Sequence, residues 1–143
     1  VRSRGLGDVY KRQRLARFMD TVAQETGKRP RILLEVNVGN EDSKFGFFPE
    51  TLEKEWPELS SLNHLEIAGL MCIPPPVENP EEARPYFRRL RELKGVLSGS
   101  GGATLTELSM GMSHDFETAI EEGATLVRVG TAIFGGRSYA PAS

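Results

Sequence analysis

The feature that most constrains the fold of this chain is a regular alternation of short apolar runs with longer amphipathic segments. The apolar runs are nearly continuous, which is typical of strands buried on both faces of a parallel sheet. Because a helical segment follows each run, the order predicts an α/β fold whose parallel strands are joined by right-handed crossovers. The predicted strands are Arg31–Val38, His64–Ile73, Thr104–Ser109 and Leu126–Gly130.

Four helices are predicted from apolar residues that recur at helical spacing. They are Arg14–Thr26, Phe48–Leu62, Pro80–Leu97 and His114–Glu122. The first should bury Leu15, Phe18, Met19 and Val22 against the sheet and end at Gly27.

Local signals refine three of these helices. Asn79 and Ser113 are the predicted N-caps of the third and fourth helices, and Gly123 should end the fourth. Pro57 lies inside the second helix, where it removes one hydrogen bond, so a kink or a break is expected there.

The length limits how much of a barrel the chain can form. A closed (β/α)₈ barrel takes about 250 residues and the shortest about 200, whereas this chain has 143 residues. Four strand–helix units therefore predict a truncated barrel, with one further helix in front of them.

Charge and composition exclude several classes of function. The net charge of −2 and the absence of a basic stripe argue against nucleic-acid binding. No apolar run approaches the roughly 18 residues that span a bilayer, and the single cysteine, Cys72, lies inside an apolar run where it is expected to be buried. These features predict a cytoplasmic protein that does not contact membranes.

Residues 1–13 differ from the rest of the chain. They have no apolar periodicity and carry four basic side chains against one acidic side chain. We interpret them as a non-native or artefactual leader that precedes a partial barrel domain at residues 14–143. A native basic tail is the alternative.

The segment from Leu108 to Gly135 carries the predicted chemistry, because it contains two successive strand ends that open into helix starts. Unpaired backbone N–H groups at a helix N-terminus attract anions, and small residues let a phosphate approach closely. Two such sites on neighbouring strands could hold one phosphate together.

Arg128 interrupts the last apolar run and needs a partner. A guanidinium has donors but no acceptor, so inside a strand it requires a carboxylate, a phosphate or a ring nitrogen opposite it. From spacing alone, an ion pair with Glu107 or Glu117 is as good an interpretation as a ligand.

Four other polar groups have two interpretations each. Asn37 could face a ligand at the end of its strand or close the following turn, and Lys44 could reach an anion or lie on the surface, which we favour. Acidic residues among the arginines of the third helix favour ion pairing over phosphate binding. These arginines are Arg84, Arg88, Arg89 and Arg91. The acidic residues near the fourth helix complement its dipole and predict no metal site.

Four ordered motifs resemble one known family. They are Leu34-Glu35-Val36-Asn37-Val38 with Ser43-Lys44-Phe45-Gly46, Ala68-Gly69-Leu70-Met71-Cys72-Ile73-Pro74, Ser109-Met110-Gly111-Met112-Ser113, and Val127-Arg128-Val129-Gly130-Thr131-Ala132-Ile133-Phe134-Gly135. Together they resemble the pyridoxal 5′-phosphate (PLP) homeostasis family, whose members are similar to the N-terminal barrel of alanine racemase. The resemblance covers roughly residues 14–140.

The resemblance implies a fold, a cofactor and roles for site residues. It implies the second half of an alanine-racemase-like TIM barrel, without the first strand that carries the Schiff-base lysine. Arg128 would face the pyridine nitrogen of PLP, while Ser113, Gly130 and Thr131, with Ser109, would hold its phosphate. The implied role is PLP binding and homeostasis without catalysis, with PLP-dependent apoenzymes as recipients and monomeric full-length relatives.

Three alternatives remain at this point. An alanine-racemase-like isomerase would need a lysine and a second acid or base, and neither is evident in the sequence. A barrel that acts on a sugar phosphate would share the phosphate site. A truncated chain that misfolds because of its open sheet edges is the third.

Overall fold

The structure is a computed structural model that describes residues 6–42 and 45–130, with side chains from residue 12 onward. Its centre is a four-stranded parallel sheet in the order β1-β2-β3-β4, so the parallel α/β prediction is confirmed. The strands are β1 (Arg31–Glu35), β2 (Glu66–Met71), β3 (Glu107–Met112) and β4 (Leu126–Arg128). The helices are α1 (Leu6–Thr26), α2 (Pro49–Leu59), α3 (Arg84–Gly99) and α4 (Phe116–Glu121), with a 3₁₀ turn at Pro80–Ala83.

The hydrophobic core lies between the helices and one face of the sheet. Trp56 and Phe87 from the helices and Leu70 and Met110 from the strands belong to one cluster of fully buried side chains. Strands that follow one another in sequential order through right-handed crossovers place their helices on the same face. Ser109 alternates with Leu108 and Met110 along β3, and all three are buried, so this strand is buried on both faces.

The third strand begins and ends three residues later than predicted. It runs from Glu107 to Met112 instead of Thr104 to Ser109. Gly111 looks like a loop residue in the sequence, but a Cβ at this position would lie 2.7 Å from the Cβ of Ala119. The glycine therefore lets α4 approach the strand, and Ser109 lies in the middle of β3 instead of at its end.

The first helix begins at Leu6, eight residues before the predicted start. The guanidinium carbon of Arg12 lies 5.8 Å from the centre of the Phe47 ring. A helical conformation and a ring contact do not show where these residues come from. The non-native origin of residues 1–13 therefore stays a prediction.

The predicted buried face of α1 is wrong. Leu15, Phe18 and Val22 are 58%, 66% and 39% exposed, whereas Ala16 and Ala23 are buried. On the same side as these alanines, Asp20 accepts a hydrogen bond of 2.8 Å from the backbone N–H of His64. Small side chains thus bring α1 against the fold, while its large apolar residues face away from it.

The second helix is shorter than predicted and is not broken. It runs unbroken through Pro57 and ends at Leu59 instead of Leu62. Pro57 has no N–H, so the helix loses one hydrogen bond, to the carbonyl of Glu53 one turn earlier. Only two residues of the helix follow the proline. The apolar residues Leu52, Trp56 and Leu59 of α2 recur at helical spacing and are all buried.

The caps of the later helices agree with the sequence in part. Asn79 caps the 3₁₀ turn that leads into α3, because its side chain accepts a bond of 3.0 Å from the N–H of Glu81. Gly27 and Gly123 follow the ends of α1 and α4 with φ angles of 65° and 102°. These positive angles favour glycine, so both predicted helix ends are confirmed.

Candidate functional site at the carboxyl ends of the strands

Arg128 is the last residue of β4 and lies beside Met112, the last residue of β3. Its Nη2 donates a hydrogen bond of 2.9 Å to the carbonyl oxygen of Cys72. Because Cys72 follows β2, the side chain reaches across the end of the intervening strand β3. Its Nε is buried and has no hydrogen-bond partner among the described residues, so one donor of the guanidinium remains to be satisfied.

The alternative of an ion pair between Arg128 and Glu107 or Glu117 is wrong within the described part of the chain. The carboxylate of Glu107 accepts a bond of 2.8 Å from Thr125 and lies 3.5 Å from Arg31. Glu107 begins β3, five residues before the end where Arg128 lies, which is about 16 Å along a strand. Arg128 is therefore held by a neutral carbonyl, and its positive charge has no carboxylate beside it among those residues.

Cys72 is a buried structural residue, as predicted. Its side chain is fully buried, and burial raises the pKa of its thiol to about 12, although the positive charge of Arg128 acts in the opposite direction. The thiol therefore stays protonated at neutral pH and is not a nucleophile. Its contribution to the site is the backbone carbonyl that positions Arg128.

A tight turn connects β3 to α4 beside Arg128. The backbone N–H of Met112 donates a bond of 2.7 Å to Asp115, whose side chain is buried. This bond draws residues 112–115 into the turn, so α4 begins two residues later than predicted and Asp115 occupies its N-cap position. The prediction that Ser113 is the N-cap is wrong, and Ser113 lies half-buried in the turn itself.

The structure brings some of the predicted phosphate ligands together. Ser113 follows Met112, the register partner of Arg128, and Gly130 lies two residues beyond Arg128. No described heavy atom lies within 4 Å of the place where a Cβ of Gly130 would be. Ser109 lies three residues before the end of β3, about 10 Å away along the strand, and Thr131 lies outside the described residues.

The loop after β1 is closed by its own residues. The Asn37 side chain donates a bond of 2.6 Å to the carbonyl of Glu41 and accepts one of 3.1 Å from its N–H. The turn-closing interpretation of Asn37 is thus confirmed. Arg89 from α3 donates a bond of 3.0 Å to the carbonyl of Val38, a contact between distant segments that no local sequence signal indicated. Lys44 lies outside the described residues.

The arginines of α3 form ion pairs, but three of them share a distant partner, Glu122, instead of pairing along their own helix as predicted. Glu122, which follows α4 and is buried, lies 3.2 Å from Arg84, 3.2 Å from Arg88 and 2.8 Å from Arg91. Burial by itself would raise the pKa of Glu122, but hydrogen bonds from Arg88 and Arg84 outweigh it and lower that pKa. This cluster joins α3 to α4 and leaves these arginines engaged away from the phosphate candidates.

The described residues contain neither a membrane-spanning helix nor a metal cluster. None of the described helices is long and apolar enough to cross a membrane. Within residues 6–42 and 45–130, no three His, Cys, Asp or Glu side chains come together as a metal site.

Comparison with solved structures finds the same fold. PipY of Synechococcus elongatus, in a structure with PLP bound, matches with a TM-score of 0.76 and 39% identity over 85% of this chain and 56% of PipY. The PLP-free PipY structure matches with a TM-score of 0.78.

Sequence comparison finds relatives named pyridoxal phosphate homeostasis protein. The relative from Aquifex aeolicus is 55% identical over 108 residues, which are 76% of this chain and 47% of the relative. The relative from Pseudomonas aeruginosa is 49% identical over 113 residues, which are 78% of this chain and 47% of the relative. The chain thus spans about half the length of these curated relatives. The model of the alanine racemase N-terminal domain matches residues 9–138, so the chain belongs to the alanine racemase N-terminal domain family.

Proposed function

We propose that this chain is the second half of a PLP-binding (β/α)₈ barrel. Arg128 would donate to the pyridine nitrogen, while Ser113, Gly130 and Thr131 would hold the phosphate. Family membership, the relatives named pyridoxal phosphate homeostasis protein and the PLP-bound structure of PipY support this proposal.

The geometry of Arg128 is the single observation that carries the proposal. Its guanidinium lies at the carboxyl ends of the strands, where ligands of parallel α/β folds bind. One nitrogen is held by the Cys72 carbonyl, and the buried Nε has no partner among the described residues. The guanidinium forms no ion pair with a described carboxylate, so the acceptor nitrogen of a planar heterocycle can take its remaining donor.

This arrangement has a consequence for the chemistry. When bound, PLP supplies an electron sink for carbanions formed next to an amine. An arginine cannot accept a proton, so a ring nitrogen that faces Arg128 must be the acceptor and stays unprotonated. The electron sink is then weaker than with an aspartate partner, which suits a protein that carries PLP better than one that turns over a substrate.

The phosphate would bind next to Arg128, at the turn after β3 and the backbone of Gly130. Met112, where the turn at residues 112–115 begins, pairs with Arg128, which lies two residues before Gly130. No atom of the residues that the structure describes fills the place of a side chain at Gly130, which leaves its backbone accessible to an anion there. The proposed physiological role is non-catalytic carriage of PLP in the cytoplasm, with PLP-dependent apoenzymes as recipients.

Binding of pyridoxine 5′-phosphate, which has the ring nitrogen and the phosphate but no aldehyde, tests the site without any contribution from a lysine. We expect calorimetric titration to detect weak binding, and Arg128→Gln to reduce the affinity about tenfold, as for loss of a hydrogen bond to a charged group. Arg31→Gln removes an arginine from the opposite end of the same sheet and is the matched control, with unchanged affinity expected.

Two results would contradict the proposal. Equal affinity of the Arg128→Gln and Arg31→Gln variants would remove Arg128 from the site. Binding of a sugar phosphate without any response to pyridoxine 5′-phosphate would favour the sugar-phosphate alternative. PLP itself should bind more weakly than to a full-length relative, because the first barrel strand and its lysine are missing from the proposed half barrel.

A further inference from the structure

The turn between β3 and α4 is closed by two hydrogen bonds between Met112 and Asp115. The carboxylate of Asp115 accepts a bond of 2.7 Å from the N–H of Met112. The N–H of Asp115 donates a bond of 3.2 Å to the carbonyl oxygen of Met112, as in a β-turn. Asp115 thus binds both polar groups of the Met112 backbone, and Ser113 and His114 lie between the two bonded residues.

The side chain of Asp115 is a buried carboxylate. It is 3% exposed, and its second oxygen lies 3.5 Å from Nε2 of His114. Burying a charge is costly, and a neutral Asn or Ser begins a helix as well as Asp does. What the carboxylate adds is a charge-assisted hydrogen bond to Met112, which is shorter and stronger than a bond between neutral groups.

One side of this turn faces a cleft. The cleft has a volume of about 340 Å³ and separates the turn from the 3₁₀ turn at Pro80–Ala83, and Ser113 and His114 are among the residues that line it. Because the neighbouring element stands back from the turn on this side, the shape of residues 112–115 depends more on the bonds within the turn.

We propose that Asp115 is a positioning residue of the phosphate site, which acts through Met112 without touching the ligand. This inference rests on the proposed function, in which Ser113 contacts the phosphate of PLP. Ser113 directly follows Met112, so a turn that Asp115 holds rigid presents Ser113 in one place and reduces the ordering that binding would require. Arg128 is held separately, by its bond to the Cys72 carbonyl.

Calorimetric titration with pyridoxine 5′-phosphate tests this role. Asp115→Ala should weaken binding about tenfold, as for loss of a hydrogen bond to a charged group. Removing a negative charge near an anion site would by itself strengthen binding, so a weaker affinity cannot be a charge effect. Asp115→Asn keeps an oxygen that can accept from Met112, and it should retain most of the affinity.

Glu117→Ala is the matched control. Glu117 is an exposed acid two residues beyond Asp115, and its substitution removes the same charge without loosening the turn. The affinity of this variant for pyridoxine 5′-phosphate should be equal to that of the original chain or slightly higher.

Hydrogen exchange followed by NMR reports the turn itself. The amide hydrogen of Met112 should exchange about tenfold faster in Asp115→Ala than in the original chain, and Asp115→Asn should keep most of its protection. The amide of Leu70, a fully buried residue of β2, should stay protected in every variant and shows that the chain is folded.

Three results would overturn the role of Asp115. They are an unchanged or tighter affinity of Asp115→Ala, an Asp115→Asn variant that binds as weakly as Asp115→Ala, and a Met112 amide whose exchange does not depend on residue 115. Absence of binding by the original chain would instead refute the proposed function on which this role rests.

Discussion

Gly69 offers the sharpest test of the packing between β2 and β3. It lies beside Glu107 in the parallel register of the two strands. A Cβ at position 69 would lie 2.0 Å from the backbone oxygen of Glu107, 2.6 Å from its carbonyl carbon and 2.8 Å from its Cα. Because all three atoms belong to the backbone, no side-chain rotation can relieve the contact.

Gly69→Ala should therefore separate the two strands or twist their register. Reaching the 3.4 Å of ordinary contact requires a displacement of about 1.4 Å between Cβ and oxygen. Overpacking in a well-packed core costs about 1–3 kcal/mol. We expect the upper end of this range, ~3 kcal/mol of the free energy of unfolding, because a strand pair shifts less easily than a side chain.

Gly95→Ala is the matched control with the opposite sign. Gly95 is exposed inside α3, and a Cβ there would meet no atom within 4 Å. Alanine in a helix interior is more stable than glycine by roughly 0.5–1 kcal/mol.

Urea denaturation followed by circular dichroism at one protein concentration measures both changes. A Gly69→Ala variant within about 0.5 kcal/mol of the original chain, a difference that surface substitutions produce, would refute the close approach of β2 and β3.

Three further predictions concern single side chains. Glu122→Gln should lower the free energy of unfolding at pH 7 by about 1–2 kcal/mol. This is less than for a fully buried ion pair, because the arginines are partly exposed. Glu117→Gln, on the exposed side of α4, should change the free energy of unfolding little. Folding lowers the pKa of Glu122, so this carboxylate stabilises the fold above its ordinary pKa of 4.5. The stabilisation is lost as the pH falls through the folded pKa. The urea midpoints of the original chain and of Glu122→Gln should therefore converge in acid. Cys72 should react with iodoacetamide at least tenfold more slowly in the folded chain than in urea, since its thiol is buried and its pKa is raised to about 12; equal rates would contradict the burial. Asn79→Ala should cost about 1 kcal/mol of unfolding free energy through loss of the cap, and Asn79→Asp should retain most of it.

The strands and most helix interiors could be predicted because their signals are local. A continuous apolar run such as the one that forms β2 has few alternatives once a helix precedes and follows it. Asn79, Gly27 and Gly123 were also predictable, since each cap depends on the conformation of a few neighbouring residues.

The boundaries near the site were less predictable because they depend on contacts between elements. β3 extends to Met112 since Gly111 packs against Ala119. The hydrogen bond from the N–H of Met112 to Asp115 sets the turn that follows. With this turn in place, the N-cap of α4 is Asp115 and not Ser113.

The sequence alone determined that this chain forms parallel strands with amphipathic helices, and that an arginine in the last strand needs a partner. Its chemistry restricted that partner to an acceptor, because a guanidinium only donates. Only the tertiary structure decided that the acceptor is the Cys72 carbonyl, which lies 56 residues away in the chain. The exposure of the apolar face of α1 was likewise decided by the tertiary structure. A helical pattern specifies an apolar face without specifying the surface that covers it.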